Sequence, residues 1–272
     1  MLLSIIICGK NDNHRKNTLQ TLKLNLQQTL SNLHNLNYDD VEVVLCDWGS
    51  EVKIIDAIEL DRHKNFKCLY VSPEISKKYN GKASYSIVHS MNAAFRHTTG
   101  KYVTFWNSDC FVPEESFANL YNFAKYMDEN DDMSFYWASR YNIDYEEYKT
   151  FQTCDEINDY IENYNIPREN MAKTPDQEFL GCGASMLMNR YLWESSTGWW
   201  ENLPYWGWQD IEFHRRLLTK YNYGGDFHDY GVKIYHFDYP RDFSFVNEYV
   251  CPDKFEANDS SWGLNGEKLV IC

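Results

Sequence analysis

The 272-residue chain reads as an α/β domain on a mostly parallel sheet, with helices covering both faces in a Rossmann-like manner. Two observations predict this. Short, unbroken apolar runs alternate with segments of helical period through the first half, as expected of strands buried on both faces. Hydrophobic residues make up 43% of the chain, and no low-complexity tract interrupts them. The length suits one large domain with a sizeable core.

The run 2–8 is the first strand, and Leu19, Leu22, Leu26, Leu30 and Leu33 then recur at helical spacing. The run 41–46 is a second strand, followed by a helix-like stretch at 52–60. A third strand at 66–71 precedes a helix over 84–96. A fourth at 102–106 precedes a helix over 114–127. The second half is less regular. Residues 133–139 read as a fifth strand, parallel or antiparallel, and the polar, tyrosine-rich stretch 142–176 as an insertion or helical flap. A strand at 184–188, a helix at 210–221 and a short strand at 232–236 follow. The tail from about residue 242 shows no period and is expected to wrap the domain.

Twenty-six basic residues against forty acidic ones give a net charge of −14, which disfavours nucleic acid as a partner. An acidic protein that binds an anionic nucleotide needs a divalent cation to hold it. No run is long enough to span a bilayer, and the first apolar run lacks the basic flank and cleavage site of a signal peptide. The eight cysteines form no C-x-x-C pair, and several sit inside apolar runs. That usage fits a reducing cytoplasm.

In open parallel sheets, ligands bind beyond the carboxyl ends of the strands. The residues there are Gly9-Lys10-Asn11 after the first strand, Asp47-Trp48-Gly49-Ser50 after the second and Asn107-Ser108-Asp109 after the fourth. No G-x-G-x-x-G follows the first strand and no Walker lysine loop appears, so dinucleotide redox enzymes and P-loop ATPases are disfavoured. A carboxylate at Asp109 suits Mg²⁺ or Mn²⁺, hard cations that bridge diphosphate oxygens. Its bland alternative is a helix cap ahead of the segment 114–127.

Ser4-Ile5-Ile6-Ile7, the stretch Val41 to Ser50, and the stretch from Asn92-Ala93-Ala94 through Gly100 to Asp109 resemble family 2 glycosyltransferases, in that family's order and approximate spacing. The resemblance implies the GT-A fold: Rossmann-like, mostly parallel, helices on both faces, with an elaborated C-terminal half. It also implies one domain over 1–272, with a nucleotide-sugar-binding half at 1–110, an acceptor and catalytic half at 111–241 and a tail at 242–272. Asp47 matches the base-binding aspartate and Asp109 the metal-binding D-x-D motif. Gly9, Asn11, Asn92 and Asn107 are expected beside the donor, with Gly183 of Gly181-Cys182-Gly183-Ala184 letting backbone approach the sugar. Two positions depart from the pattern. Trp48 stands where a second aspartate is usual, and Asn107 replaces the first aspartate of D-x-D.

The second half carries Gly198-Trp199-Trp200-Glu201 and then Tyr205-Trp206-Gly207-Trp208-Gln209-Asp210-Ile211-Glu212. This is similar to the G-W-G-x-E-D region of inverting GT-A enzymes, including the galactosyltransferase-like branch, with Gln209 in place of glutamate. Asp210 matches the catalytic base there; its bland alternative is a helix cap. Trp206 and Trp208 beside it are candidate acceptor platforms, since an aromatic face stacks on the apolar side of a pyranose. Glu212 ranks behind them as an acceptor contact. His236, after the last strand, matches a histidine that serves several GT-A enzymes as a metal ligand. His228 and Asp238 are weaker candidates.

The expected function is therefore metal-dependent, inverting transfer of a sugar from a nucleotide-diphosphate donor, UDP-linked before GDP-linked. The cofactor is Mn²⁺ or Mg²⁺, and the acceptor hydroxyl belongs to a glycan, a lipid-linked sugar or a protein. Two rivals stay open: a non-catalytic carbohydrate- or nucleotide-binding protein on a degenerate GT-A fold, and a sugar-phosphate nucleotidyltransferase.

Overall fold

Seven buried residues, Leu3–Gly9 (β1), lie near the middle of an eight-stranded sheet. The computed structural model describes residues 1–12, 18–168, 172–173, 179–180, 185–205, 207–238, 246–247 and 257–272. After β1 come the helix Thr18–Leu36 (α1), the strand Val41–Trp48 (β2) and a single turn Ile54–Ala57 (α2). Phe66–Val71 (β3) leads into the helices Pro73–Tyr79 (α3) and Ile87–Arg96 (α4). Tyr102–Asn107 (β4) is followed by Cys110–Phe111 (β5) and the helix Glu114–Glu129 (α5). Phe135–Trp137 (β6), Arg140–Ile143 (β7), Tyr145–Tyr148 (α6) and Cys154–Asn163 (α7) come next. Ala172–Lys173 (β8) and Phe179–Leu180 (β9) pair as a ribbon, before Ser185–Asn189 (β10) and Arg190–Ser195 (α8). Gln209–Leu218 (α9), Tyr223–Asp226 (β11), Ile234–Phe237 (β12) and Val270–Ile271 (β13) complete the chain.

The strand order of the large sheet is β11-β6-β10-β4-β1-β2-β3-β13. β4, β1, β2 and β3 run parallel. β10 is antiparallel to both β4 and β6, and β13 is antiparallel to β3. The mostly parallel α/β expectation holds, with antiparallel strands added on either side of the parallel block. Alternate side chains of β1 enter two different cores. Ile5 and Ile7 pack with Leu22, Leu26, Leu30 and Leu33 of α1 and with Phe117 and Leu120 of α5. Ile6 and Cys8 pack with Val88, Met91 and Phe95 of α4 and with Phe213 and Leu217 of α9. Each fully buried leucine on α1 contributes about 1.5–3 kcal/mol, so this face outweighs the helix's modest polar complement.

Several elements differ from the sequence expectation. The helix-like stretch 52–60 forms only the turn α2. The helix expected from residue 84 begins at Ile87, with Ser86 extended as its N-cap. α3 was not expected, although its start carries a recognisable signal: Ser72 caps Ile75 through its hydroxyl and Pro73 follows at the first helical position. The stretch 142–176 does contain helices, α6 and α7.

The short strand expected near 232–236 does not join the large sheet. β12 sits between β5 and β7 in a separate three-stranded sheet. The described part of the tail packs back onto the domain through β13 and through Trp262, over which the Arg96 guanidinium lies at 4.3 Å. Among the described residues, no helix is long and apolar enough to cross a membrane.

Candidate active site

The parallel register brings three strand ends side by side. Gly9 at the end of β1 is opposite Asp47 of β2, and Cys8 is opposite Asn107 of β4. Gly9 has a packing reason to lack a side chain, since a Cβ there would lie 2.7 Å from the Leu22 Cδ2 of α1. The loop after β1 is stitched to the loop after β2. The Asn11 amide donates to the Ser50 hydroxyl at 2.7 Å, and its side-chain nitrogen donates to the Val52 carbonyl at 2.9 Å. Asp47 is fully buried and its Oδ2 accepts the Ile54 amide at 2.8 Å, which fixes the start of α2. Its Oδ1 is buried without a hydrogen bond inside the protein. Burial raises the Asp47 pKa above the usual carboxylate value, opposed by Ser50 and the Ile54 amide. Trp48 packs in the interior, with its indole donating to the Asn80 side-chain Oδ1 at 2.7 Å.

At the end of β4, α1 supplies the clamp. Asn25 Oδ1 accepts the Trp106 indole at 3.0 Å, and Asn25 Nδ2 donates to the Asn107 carbonyl at 2.8 Å. The chain then turns through Asp109 into β5. The N-cap of α5 is Pro113, so Asp109 does not cap that helix. Its carbonyl accepts the Phe237 amide of β12 at 2.8 Å, which ties Asp109 to the strand that carries His236. The His236 Nε2 faces the Asp109 Oδ2 at 3.5 Å. On the other side of the ring, His236 Nδ1 lies 3.1 Å from the Asn142 Oδ1 of β7, its register partner. Both ligand candidates are nearly enclosed, with Asp109 7% and His236 4% exposed. Burial raises the pKa of Tyr148 on α6, and Asp109, Tyr145 and Asp238 add to the shift, so negative charge gathers at this corner.

A carboxylate oxygen and an imidazole nitrogen at that separation suit a shared Mn²⁺ or Mg²⁺. An Nδ1 proton given to Asn142 leaves the Nε2 lone pair toward Asp109, the tautomer a ligand needs. Among the described residues no group of three His, Cys, Asp or Glu forms a complete metal site.

The third part of the site is the start of α9. Its N-cap is Trp208, in the left-handed conformation at φ 68°, after Gly207 at φ 87°. Asp210 stands in the first turn, partly exposed, with its Oδ1 accepting the Ile211 amide at 3.0 Å. The Tyr205 hydroxyl accepts the Lys82 amide at 3.3 Å, and Lys10 Nζ donates to the Ser84 carbonyl at 2.9 Å. Loop 80–84 thus joins the strand-end rim to the loop that precedes α9.

Comparison with known proteins decides the family. The profile described as glycosyl transferase family 2 matches residues 4–195, which is most of the chain and includes β1, β2 and β4. The chain belongs to glycosyl transferase family 2. The family is one of glycosyltransferases. No curated relative matches the sequence. Among solved structures, S. aureus TarS 1–349 is similar at 15% identity and a TM-score of 0.48, covering 80% of this chain and 55% of that one. TarS 1–349 in complex with UDP-GlcNAc matches at 15% identity and a TM-score of 0.48, covering 89% and 60%. A mannosyltransferase from Pyrobaculum calidifontis, in complex with GDP-Man and Mn²⁺, matches at 17% identity and 0.48, covering 86% and 56%. The family 2 chain thus spans little more than half the length of these chains.

Two residues expected at ligand contacts of this family 2 chain are engaged inside the protein. Asn92, expected beside the donor, is fully buried in α4, its Nδ2 donating to the Trp199 carbonyl at 2.7 Å and Glu201 Oε1 at 3.0 Å. Its Oδ1 accepts the Trp199 amide at 2.9 Å, so the side chain is a latch for the segment 199–201. Glu212, expected as an acceptor contact, is committed to a partner on its own helix. It is 1% exposed and paired with Arg216 at 2.6 and 3.0 Å, while Arg216 also donates to the Ser196 and Gly198 carbonyls. A side chain two positions after Asp210 points inward on the helix, where only a paired charge is tolerated. His228 is turned toward the Tyr141 hydroxyl at 2.8 Å. Gly183 and Trp206 lie outside the described residues.

The structure also brings in residues that the sequence did not single out. Asn25 clamps β4, Asn142 backs His236, and Asn247 of the tail holds the carbonyls of Tyr205 and Gly207. Asparagines at irregular spacing carry no periodic signal, and nothing local marks them.

Proposed function

We propose that this chain transfers a sugar from a nucleotide-diphosphate donor, UDP-linked before GDP-linked, to an acceptor hydroxyl with inversion. The observation that carries the reading is the pairing of Asp109 and His236 at the end of β4, one strand away from the end of β1. These two residues hold a Mn²⁺ or Mg²⁺, and Asn142 fixes the ring of His236. A divalent cation there supplies charge neutralisation for the departing diphosphate. Asp47 is the base-side group, its buried Oδ1 being an acceptor for a ligand N–H once the neighbouring loop admits it. Asn11 and Asn107 flank the donor at the rim.

Asp210 accepts the proton of the acceptor hydroxyl at its carboxylate as that oxygen attacks the anomeric carbon. The start of a helix suits this work, because the N-terminal dipole keeps a carboxylate ionised and the turn fixes its direction. Trp208 forms an acceptor platform beside it. In this reading, residues 1–110 bind the donor, 111–241 carry the acceptor side and base, and the tail completes the domain.

Calorimetric titration with UDP, with and without Mn²⁺, and then with GDP, tests the proposal. UDP binding that appears only with the metal is the expected result. A chain that binds neither nucleotide in either condition is not a nucleotide-sugar transferase.

A further inference from the structure

Asn247 stands on the tail beyond β12, yet it is 6% exposed and its side chain meets backbone of the segment before α9. Its Oδ1 accepts the Tyr205 amide at 3.0 Å. Its Nδ2 donates to the carbonyls of Tyr205 at 2.6 Å and Gly207 at 2.8 Å, with Leu203 at 3.4 Å beyond them. The Tyr205 carbonyl also receives the Gln209 side-chain amide from the first residue of α9. Only a carboxamide offers both an acceptor and two donors from one short side chain.

The loop needs such a clamp. Gly207 and Trp208 occupy the left-handed region in succession, at φ 87° and 68°. For a tryptophan this conformation is unfavourable and persists only where the surroundings fix it. The Glu212 amide then bonds the Trp208 carbonyl at 2.8 Å to open the helix, so the direction of α9's first turn follows from these two residues. The same Tyr205 whose backbone Asn247 grips reaches the donor-side loop with its hydroxyl.

We propose that Asn247 is a positioning residue that sets the aim of Asp210 relative to the donor rim; this rests on Asp210 being the base. It brings the C-terminal tail into the catalytic half. The loop holds its shape through Asn247, and Gln209 shares the Tyr205 carbonyl as a second support.

The test uses the whole chain with Mn²⁺, measuring UDP release from UDP-glucose, UDP-galactose and UDP-N-acetylglucosamine, with UDP affinity in parallel. Asn247→Ala and Asn247→Asp are expected to lower kcat roughly ten- to hundredfold, the scale of a small misplacement of a reacting group. UDP affinity stays at the wild-type value, and Asn247→Gln, which keeps the amide, recovers part of the turnover. Wild-type kcat in both variants overturns the proposal, as does a UDP affinity that falls in step with kcat. If Asn247→Ala does not fold, Gln209→Ala carries the same expectation. The underlying reading fails separately. An Asp210→Asn chain that still turns over removes the base, and this proposal with it, whatever the Asn247 variants do. A wild-type chain that releases UDP from none of the three donors removes the reading of these UDP-sugars as its donors, and the same variants are then measured with GDP-mannose.

Discussion

At the scale of single residues, the candidate site divides into groups that can meet a ligand and groups committed to the protein. Asp109 and Asp210 are both carboxylates near helix-bearing segments, and neither is the N-cap of the helix that follows, a position held by Pro113 and Trp208. Their assignments make opposite predictions. Asp210→Asn is expected to abolish transfer, by roughly a hundredfold or more for loss of a general base, while UDP affinity is unchanged. Asp109→Ala is expected to remove the Mn²⁺-dependent part of UDP binding, read by the same calorimetry. Metal-dependent affinity that survives Asp109→Ala places the cation elsewhere. These two positions were legible because strand ends and a W-G-W-Q-D stretch mark them locally. Their partners were not. Asn142 reaches His236 only because β7 and β12 pair.

At the scale of elements, the long parallel strands were readable and the short ones were not. β1, β2 and β4 are unbroken apolar runs because both faces are covered. β5 has two residues, too few for any period, yet its pairing with β12 sets Asp109 against His236. The α4 latch is a second case. Asn92→Ala removes three hydrogen bonds from the segment 199–201 and leaves its amide and carbonyl groups buried. We expect a loss of roughly 2–4 kcal/mol in urea unfolding, with UDP affinity retained. A donor-affinity defect without destabilisation restores Asn92 to the donor site. Gly198 belongs to the same latch: at φ 69° its Cβ would meet Asn92 Oδ1 at 2.3 Å.

At the scale of the whole molecule, buried histidines couple stability to pH. Burial lowers the pKa of His89 on α4 and of His214 on α9 to about 4, from an ordinary 6.5. For His89 this holds although Glu201 lies 4.0 Å away. Between pH 6.5 and 4 the unfolded chain binds more protons than the folded one. Stability is therefore full above about pH 6.5 and falls as the pH drops toward 4, by up to roughly 3 kcal/mol for each ring. His89→Gln is expected to flatten this acid limb in thermal melts taken across that range. An unchanged slope means that His89 is protonated in the folded protein.

The sequence by itself determined the parallel block, the order of its strand ends and the family, because continuous burial and strand-end loops are properties of short stretches of chain. Only the tertiary structure decided which side chains meet. It placed His236 on a second sheet against Asp109, withdrew Asn92 and Glu212 into the interior and set Asn247 against the loop before Asp210. Hydrophobic period reports whether a residue faces the core. A buried amide or carboxylate is instead defined by partners dozens of residues away, and those are fixed only when the sheets pair and the tail packs.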